Sequence, residues 1–277
     1  MRSLKHKKIL VFGGSGFLGS HLLKRLPHAS DTGVDITDQS AVFNLIKQGW
    51  DIIVNLAGIS GTPINSRQIM VSFEVNVIGS LNLLEASRQL PHPPILFFSN
   101  SRQEYGRPQY LPVDELHPTH PTNLYGIHKL AVTHLAQLYH QTYDLPTIIF
   151  RTSNVYGKSP TNKPVNYNIV NQWLNGGPIT IFGTGSQKRD YLFIDDWVNA
   201  VVAALTTPKA YGQIFNIGSG QGQSLLSMAK TIAKSTGAKI IKKPWPPDWQ
   251  SVETGDYISD ISKAKRILHW HPNEITT

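Results

Sequence analysis

The stretch that decides the fold is Lys8-Ile9-Leu10-Val11-Phe12-Gly13-Gly14-Ser15-Gly16-Phe17-Leu18-Gly19-Ser20-His21-Leu22-Leu23. An apolar run meets regularly spaced glycines and then continues with helical periodicity, which predicts a buried parallel strand, a tight turn and a helix start. Gly13, Gly16 and Gly19 form a G-x-x-G-x-x-G array. Such an array lets the backbone turn sharply, approach a pyrophosphate and present a helix N-terminus to it. The stretch therefore favours dinucleotide binding, although a glycine-rich strand-to-helix turn can also be purely structural.

Length and composition limit the class of protein. A chain of 277 residues can bury a full α/β core, as one large domain or one and a half. It contains no cysteine, which excludes a disulfide framework and a thiolate metal site, and we expect no metal. The formal net charge is +8, but the basic residues are scattered apart from the N-terminal cluster and residues 239–243. We therefore expect an anionic small ligand and no nucleic acid.

The sequence also bears on location. We find no apolar stretch that approaches the roughly 20 residues of a membrane span. Residues 1–8 run directly into the first strand. The expectation is a soluble cytoplasmic protein with no membrane partner.

Strand-like and helical segments alternate along the first part of the chain. The predicted strands cover residues 8–12, 51–58, 94–98 and 146–150, and the predicted helices residues 39–48, 66–89 and 124–143. This alternation predicts an α/β fold, a Rossmann-type doubly wound parallel sheet with helices on both faces. From Arg151 onwards the alternation loosens and turn residues multiply, which predicts a small C-terminal lobe. We assign residues 1–157 to the dinucleotide-binding domain, which also receives segments near 190–220, and residues 158–277 mainly to the lobe.

Two short motifs carry candidate chemistry. Tyr125 and Lys129 are spaced i and i+4, which places them on one helix face, one turn apart. The pKa of a phenol in water is about 10, so a phenolic base that works at neutral pH needs a cation beside it. Alone the pair is ambiguous, because this spacing arises by chance and usually means a surface Tyr over a Lys. Ser99-Asn100-Ser101 follow a predicted strand, where open α/β sheets bind ligands.

In this order, the glycine array, the serine stretch and the Tyr-Lys pair resemble the extended short-chain dehydrogenase/reductase family. The resemblance is to its nucleotide-sugar epimerases, dehydratases and reductases, in particular to UDP-glucose 4-epimerase-like proteins, and it covers essentially the whole chain. The further motifs that carry it are Asn55-Leu56-Ala57-Gly58, Asn76-Val77-Ile78-Gly79, residues 99–106, 151–157 and 183–190, and Phe215-Asn216-Ile217-Gly218.

The resemblance implies roles for individual residues. Tyr125 would exchange a proton with the sugar hydroxyl, Lys129 would support its phenolate and hold the nicotinamide ribose, and Ser101 would hydrogen-bond the reacting oxygen. The implied cofactor is NAD, with NADP possible. Its expected contacts are Gly13, Gly16, Phe17, Leu18, Asp35, Ile36, Leu56, Ala57, Gly58, Asn76, Ser99, Tyr125, Lys129 and Ser153.

The resemblance also implies a substrate site. Ser101, Asn154 and Arg189 would contact the nucleotide sugar, with Arg189 on its diphosphate, because the guanidinium fork matches phosphate oxygens. The alternative for Arg189 is a surface ion pair with Asp190 or Asp195.

Several positions depart from the family pattern. Dehydratases carry an Asp-Glu pair directly after the catalytic Ser/Thr, whereas Arg102 and Gln103 stand here, which argues against dehydration. Glu253 stands where a second phosphate-binding Arg is frequent, and it would repel phosphate. Residues 28–38 are too short for a complete second strand, so we expect the acidic residue on the adenosine ribose to be missing and Asp35 to replace it or to contact adenine. The family usually adds a further helix after residues 262–270, which we expect to be trimmed or absent.

The expected activity is that of an NAD-dependent nucleotide-sugar epimerase acting at C4 through a transient keto sugar. The alternatives are an NADPH-dependent reductase of nucleotide 4-keto-6-deoxysugars and a non-catalytic dinucleotide-binding protein. By resemblance the helices of residues 66–89 and 124–143 would form a homodimer interface. Its expected apolar contacts are Leu130, Leu135, Leu138 and Tyr139.

Overall fold

The structure is a computed structural model that describes residues 4–60, 66–158, 169–174, 177–247, 250 and 252–273. Its strands are β1 (Ile9–Phe12), β2 (Ser30–Asp31), β3 (Ile52–Asn55), β4 (Ile95–Ser101), β5 (Thr147–Thr152), β6 (Asn154–Tyr156), β7 (Ile179–Phe182), β8 (Lys188–Phe193), β9 (Gln213–Ile217), β10 (Gly222–Ser224) and β11 (Ile240–Lys243). The central sheet has six strands in the order β2-β1-β3-β4-β5-β9. Every neighbouring pair in it is parallel, which confirms the predicted fold class.

Helices cover both faces of this sheet. The described helices are α1 (Phe17–Arg25), α2 (Gln39–Ile46), α3 (Ser66–Phe73), α4 (Gly79–Arg88), α5 (Leu124–Tyr143), α6 (Ile169–Leu174), α7 (Ile194–Leu205), α8 (Leu225–Thr236) and α9 (Ser262–Leu268). Two of these nine described helices, α6 and α8, belong to the smaller lobe instead. The side chains of β1 alternate between the two cores, as the pleat requires. Ile9 and Val11 pack in the core that α1, α7 and α9 cover, whereas Leu10 and Phe12 pack in the core that α2, α4 and α5 cover.

The second strand is shortened but present. Ser30 and Asp31 form β2, which pairs in parallel with Leu10 and Val11 of β1. The predicted helix over residues 66–89 is one helical run in the structure, but a π-helical turn at Glu74–Ile78 separates α3 from α4.

The C-terminal part builds a smaller lobe and also returns to the sheet. Strands β10, β8 and β6 form a three-stranded sheet, and β11 pairs with β7 beside α6 and α8. The helix α7 and the strand β9 pack with the central sheet. The helix α9 does the same, with Ala264 and Leu268 buried in that core. The bounds 1–157 and 158–277 stay a prediction.

Two expectations about the helices need correction. Among the described residues, the 22-residue run Arg67–Arg88 is long and apolar enough to cross a membrane by length and composition alone, and half of its most apolar window is buried inside the structure. In α5, Tyr139 is not free for a partner subunit, because it packs into the sheet core and donates a hydrogen bond to Glu85. Leu135 also packs against that core, whereas Leu138 is exposed.

Candidate functional site

The glycine turn joins β1 to α1 and leaves no space for side chains. Gly13 has φ +79°, in the left-handed region, and a Cβ there would lie 2.7 Å from the backbone nitrogen of Ala57. A Cβ at Gly19 would collide with the carbonyl oxygen of Gly13. Gly16 is the N-cap of α1, and the first turn of this helix contains no acidic residue. The positive end of the helix dipole is therefore not neutralised within the turn, which suits a bound pyrophosphate.

Asp31 lies at the glycine turn and is a candidate site residue that the sequence analysis missed. It ends β2, opposite Val11 in the β1–β2 register, and its Oδ1 accepts a hydrogen bond of 3.1 Å from the Gly14 amide. An acidic residue about 20 positions after the glycine turn binds the ribose hydroxyls of NAD in dinucleotide-binding folds. The expectation that the short connection removes this residue is wrong, because two residues of strand suffice to bring Asp31 to the turn.

Asp35 and Ile36 lie further along the same connection. Asp35 is exposed, and its carboxylate accepts hydrogen bonds from the backbone nitrogen and the hydroxyl of Thr37, both at 2.9 Å. These bonds lower the pKa of Asp35. The Ile36 side chain is buried against Gly79 in the sheet core, so only its backbone is available to a ligand.

The loop after β3 carries Leu56, Ala57 and Gly58, and the side chain of Asn76 forms hydrogen bonds with the next residue of the loop, Ile59. The Asn76 amide accepts from the Ile59 nitrogen at 2.8 Å and donates to the Ile59 oxygen at 2.9 Å. A Cβ at Gly58 would lie 3.0 Å from Asn76 Oδ1 and 3.6 Å from Lys129 Nζ. The loop thus passes close to the Lys129 ammonium, and Asn76 orients it.

Ser101, Tyr125 and Lys129 converge at the carboxyl end of β4. Ser101 and Tyr125 line one cavity of about 80 Å³. The Lys129 Nζ lies 5.8 Å from the centroid of the Tyr125 ring and donates a 2.9 Å hydrogen bond to the Ser99 oxygen. The other described residues that line this cavity are Ser60, Asn100, Arg102, Gln103, Thr152, Ser153 and Asn154. A larger cavity, of about 840 Å³, lies between α1 and α7, and its described lining includes neither Ser101 nor Tyr125.

The pKa of Lys129 is shifted by its surroundings. Burial lowers its pKa to about 8, and the opposing influence is the carboxylate of Glu104, which raises it. Glu104 is fully buried and accepts from Arg151 Nε at 2.7 Å and from the Thr133 hydroxyl at 2.9 Å. Asn100 Nδ2 donates to Thr133 Oγ1 at 2.7 Å and to the Lys129 oxygen at 2.8 Å. A buried polar network therefore stands directly behind the Tyr-Lys pair.

The sequence analysis did not identify this network. The signal that could have found it is a charged residue inside an apolar strand, since Arg151 lies in β5 among fully buried neighbours. A buried guanidinium needs a partner, and Tyr105 and Glu104 are both within its reach, the Tyr105 hydroxyl at 3.0 Å. Tyr105 in turn donates to Asn216 on β9 at 2.7 Å.

Arg189 lies on β8 and is 9% exposed. Its guanidinium forms an ion pair with Glu253. The alternative of a surface pair with Asp190 or Asp195 is wrong, because Asp190 is buried and accepts from the Ser219 amide at 2.6 Å, while no such pair with Asp195 forms among the described residues. Glu253 thus neutralises Arg189 in this structure.

Ser153 and Asn154 lie where β5 passes into β6. Ser153 is buried, and within the described chain its hydroxyl has no hydrogen-bond partner. Asn154 pairs with Tyr191 in the β6–β8 register, and its Nδ2 donates to the Asp190 oxygen at 3.4 Å. Both residues face the cavity that Ser101 and Tyr125 line.

Together, the parallel sheet, the glycine turn with Asp31 and the Ser-Tyr-Lys cluster define a Rossmann-type enzyme of the short-chain dehydrogenase/reductase class. Residues 9–218 match the NAD dependent epimerase/dehydratase family. The chain belongs to this family, which confirms the resemblance seen in the sequence and the expectation of NAD as cofactor.

Individual relatives span nearly the whole chain. A putative UDP-glucose 4-epimerase of Methanocaldococcus jannaschii is 30% identical over 95% of this chain and 93% of its own length. The crystal structure of UDP-glucose 4-epimerase from Thermotoga maritima with UDP-glucose aligns with a TM-score of 0.85 and 27% identity, over 96% of this chain and 94% of that one. UDP-glucuronic acid 4-epimerase from Bacillus cereus, in complex with UDP-glucuronic acid and NAD, aligns with a TM-score of 0.82, at the same identity and coverage.

Proposed function

We propose that the protein is an NAD-dependent nucleotide-sugar epimerase that inverts C4 through a transient keto sugar. The observation that carries the proposal is the convergence of Ser101, Tyr125 and Lys129 beside the loop of Gly58. Arg102 and Gln103 follow Ser101, so the acidic pair that a dehydratase needs is missing from these two positions. Relatives named UDP-glucose 4-epimerase and UDP-glucuronic acid 4-epimerase support the same reaction.

The residues present fit a bound NAD. The cradle at Gly13 and Gly19 would be filled by any Cβ, and the carboxylate of Asp31 stands beside it, where it suits ribose hydroxyls and disfavours the 2′-phosphate of NADP. When bound, NAD accepts a hydride from the sugar carbon and returns it. Ser153, with its unpartnered hydroxyl, and Lys129 complete the set of polar groups toward the nicotinamide half.

The side chains then have distinct roles in proton transfer. Tyr125 takes the proton of the sugar hydroxyl and gives it back after the hydride returns. Ser101 Oγ accepts from the Gln103 amide at 3.2 Å, so its own proton is available to the reacting oxygen. The positive charge of Lys129, buried on the adjacent helical turn, favours the phenolate during the first step.

The proposal is tested by the cofactor content and the turnover of the purified protein. The protein is assayed for retained NAD(H) and then incubated with UDP-, dTDP-, GDP- and CDP-sugars. An epimerase converts one of them to its C4 epimer with no net change in cofactor. Stoichiometric consumption of NADPH with a 4-keto sugar would instead identify a reductase, and binding without turnover of any sugar would identify a non-catalytic protein.

We also propose that the protein is a homodimer. The large apolar residues that α3 and α5 leave exposed among the described side chains are Met70, Val71 and Phe73 on α3 and Ile127, Leu138 and Tyr143 on α5. Exposed apolar side chains on neighbouring helices are a surface that a second copy of the chain would bury.

A further inference from the structure

Arg102 is a buried cation that forms no ion pair within the described part of the chain. It is 8% exposed, its Nη1 donates to Thr254 Oγ1 at 3.2 Å, and its guanidinium carbon lies 5.0 Å from the centroid of the Tyr257 ring. Among the described residues, no carboxylate lies within ion-pair distance of it. The two other buried guanidiniums near the cleft differ in this respect, since Arg151 pairs with Glu104 and Arg189 pairs with Glu253.

The position of Arg102 ties it to the reacting centre. It directly follows Ser101 and lines the same cavity as Ser101 and Tyr125. The turn Arg102–Glu104 is a 3-10 helix that Ser101 caps, because the Ser101 hydroxyl accepts from the Gln103 amide. The backbone of Arg102 is therefore held by the residue that would bind the reacting oxygen.

Tyr191 lies near the same cations, because it follows Arg189 by two positions on β8 and pairs with Asn154, which lines the cavity of Ser101 and Arg102. Tyr191 is 2% exposed, and its hydroxyl has no hydrogen-bond partner in the described part of the chain. Burial raises the pKa of Tyr191 to about 12, and the positive charges of Arg189 and Arg102 oppose this rise. An unsatisfied buried hydroxyl costs about 1–3 kcal/mol, so a ligand oxygen that accepts from it would recover that free energy.

The charges at this point are unbalanced. Arg102 and Arg189 contribute two positive charges, and Glu253 pairs with Arg189 alone. The buried carboxylate of Asp190, next to Arg189 in the chain, accepts hydrogen bonds from the amides of Ser219 and Ser259 and forms no ion pair with either guanidinium among the described residues. Burial and the neighbouring charge of Arg189 together lower the pKa of Arg102 to about 10, against the opposing influence of Tyr257 and Glu253. A buried charge without a partner is unfavourable unless a ligand supplies the opposite charge.

We propose that Arg102, together with Arg189 and the Tyr191 hydroxyl, binds an oxyanion of the substrate. This inference rests on the proposed function, in which the substrate is a nucleotide sugar. Two groups of such a substrate have the required chemistry, namely the diphosphate and, in a nucleotide hexuronic acid, the sugar carboxylate. Arg102 is thereby a specificity-determining residue that favours substrates carrying this negative charge.

The test measures binding to the NAD-loaded protein by calorimetry. The probes are UDP, dTDP, GDP and CDP, followed by UDP-glucose and UDP-glucuronic acid. Arg102→Gln is expected to lower the affinity for the tightest-binding of these ligands about 10- to 100-fold, because a charge-assisted hydrogen bond is lost. Arg102→Lys should restore part of that affinity. Arg266→Gln, which removes an exposed charge on α9, is the control and leaves the affinities unchanged.

Tyr191→Phe provides a second variant that keeps the fold. The hydroxyl that it removes has no partner in the described chain, so the stability of the protein should not fall, whereas the affinity for the ligand should fall several-fold. Thermal unfolding of each variant separates loss of binding from loss of structure.

The two sources of the oxyanion give different results. If Arg102→Gln lowers the affinity for the nucleoside diphosphate and for both UDP-sugars by the same factor, Arg102 binds the diphosphate. If it lowers the affinity for UDP-glucuronic acid alone, Arg102 binds the sugar carboxylate. Unchanged affinities in Arg102→Gln and Tyr191→Phe overturn the inference while the proposed function stands. A wild-type protein that binds none of the nucleotides or nucleotide sugars overturns the proposed function itself.

Discussion

Replacing Glu104 by Gln removes the negative charge of the buried Glu104–Arg151 pair and keeps the shape of the side chain. The two side chains are 0% and 5% exposed, and Arg151 Nε lies 2.7 Å from Glu104 Oε2. Thr133 donates to the same oxygen. A Gln amide keeps one acceptor oxygen at this site but leaves the Arg151 guanidinium buried without a counterion.

The surface pair Glu85–Arg88 provides the matched control. Its N···O distance is also 2.7 Å, but the side chains are 25% and 36% exposed. Burial is therefore the main difference between the two pairs. Removing one partner of a buried pair costs about 3–5 kcal/mol, because the remaining charge is desolvated and uncompensated. At the surface, water replaces the partner, and the cost is about 0–1 kcal/mol.

Urea unfolding followed by circular dichroism measures both losses. We expect Glu104→Gln to lose about 3–5 kcal/mol of unfolding free energy and Glu85→Gln no more than about 1 kcal/mol. Losses of equal size in the two variants would refute the argument that burial decides the value of the pair.

Four further predictions follow from the site and the surface. Tyr125→Phe should lower turnover by about 10²-fold or more with little change in NAD affinity, and near-normal turnover would reject Tyr125 as the base. Because the pKa of Lys129 lies at about 8, its positive charge is lost as the pH rises through that value, so turnover should fall on the alkaline side. In Glu104→Gln this alkaline limb should move to lower pH, since the carboxylate raises the Lys129 pKa; an unmoved limb would contradict the coupling. Asp31→Ser should lower the affinity for NAD and raise the affinity for NADP, as measured by fluorescence titration, and an unchanged preference would place the adenosine ribose elsewhere. Light scattering at micromolar concentration should give twice the chain mass of 30.8 kDa, with Leu138→Glu shifted to the monomer, whereas a monomeric wild type would exclude the dimer.

Local signals in the sequence predicted the elements of the sheet domain well. The helix predicted for residues 124–143 coincides with α5, because the side chain of Asn123 accepts from the Gly126 amide at its start and Asp144 adopts φ 54° at its end. The glycine turn was predicted equally well, since the spacing of its glycines is typical of a backbone that approaches a pyrophosphate closely. Periodicity did not show which side of α5 faces the sheet, so Tyr139 was assigned to the wrong surface.

The candidate site was predicted only in part. Ser101, Tyr125 and Lys129 were identified from motif order, and the structure brings Ser101 and Tyr125 to one cavity with Lys129 beside the Tyr125 ring. Asp31 and Glu104 were not identified. Asp31 reaches the glycine turn through the β1–β2 pairing, and Glu104 meets Arg151 because β4 and β5 are neighbours.

The sequence by itself therefore determined the fold class and the glycine turn, and it predicted the Tyr125–Lys129 pair, because these features rest on residue patterns and spacings of a few positions. Only the tertiary structure decided the charge balance of the cleft. The partners there are far apart in the chain, 47 positions for Arg151 and Glu104, 64 for Arg189 and Glu253, and 152 for Arg102 and Thr254. Whether a buried cation is paired or left for a ligand depends on which elements the fold brings together, and no local spacing encodes that.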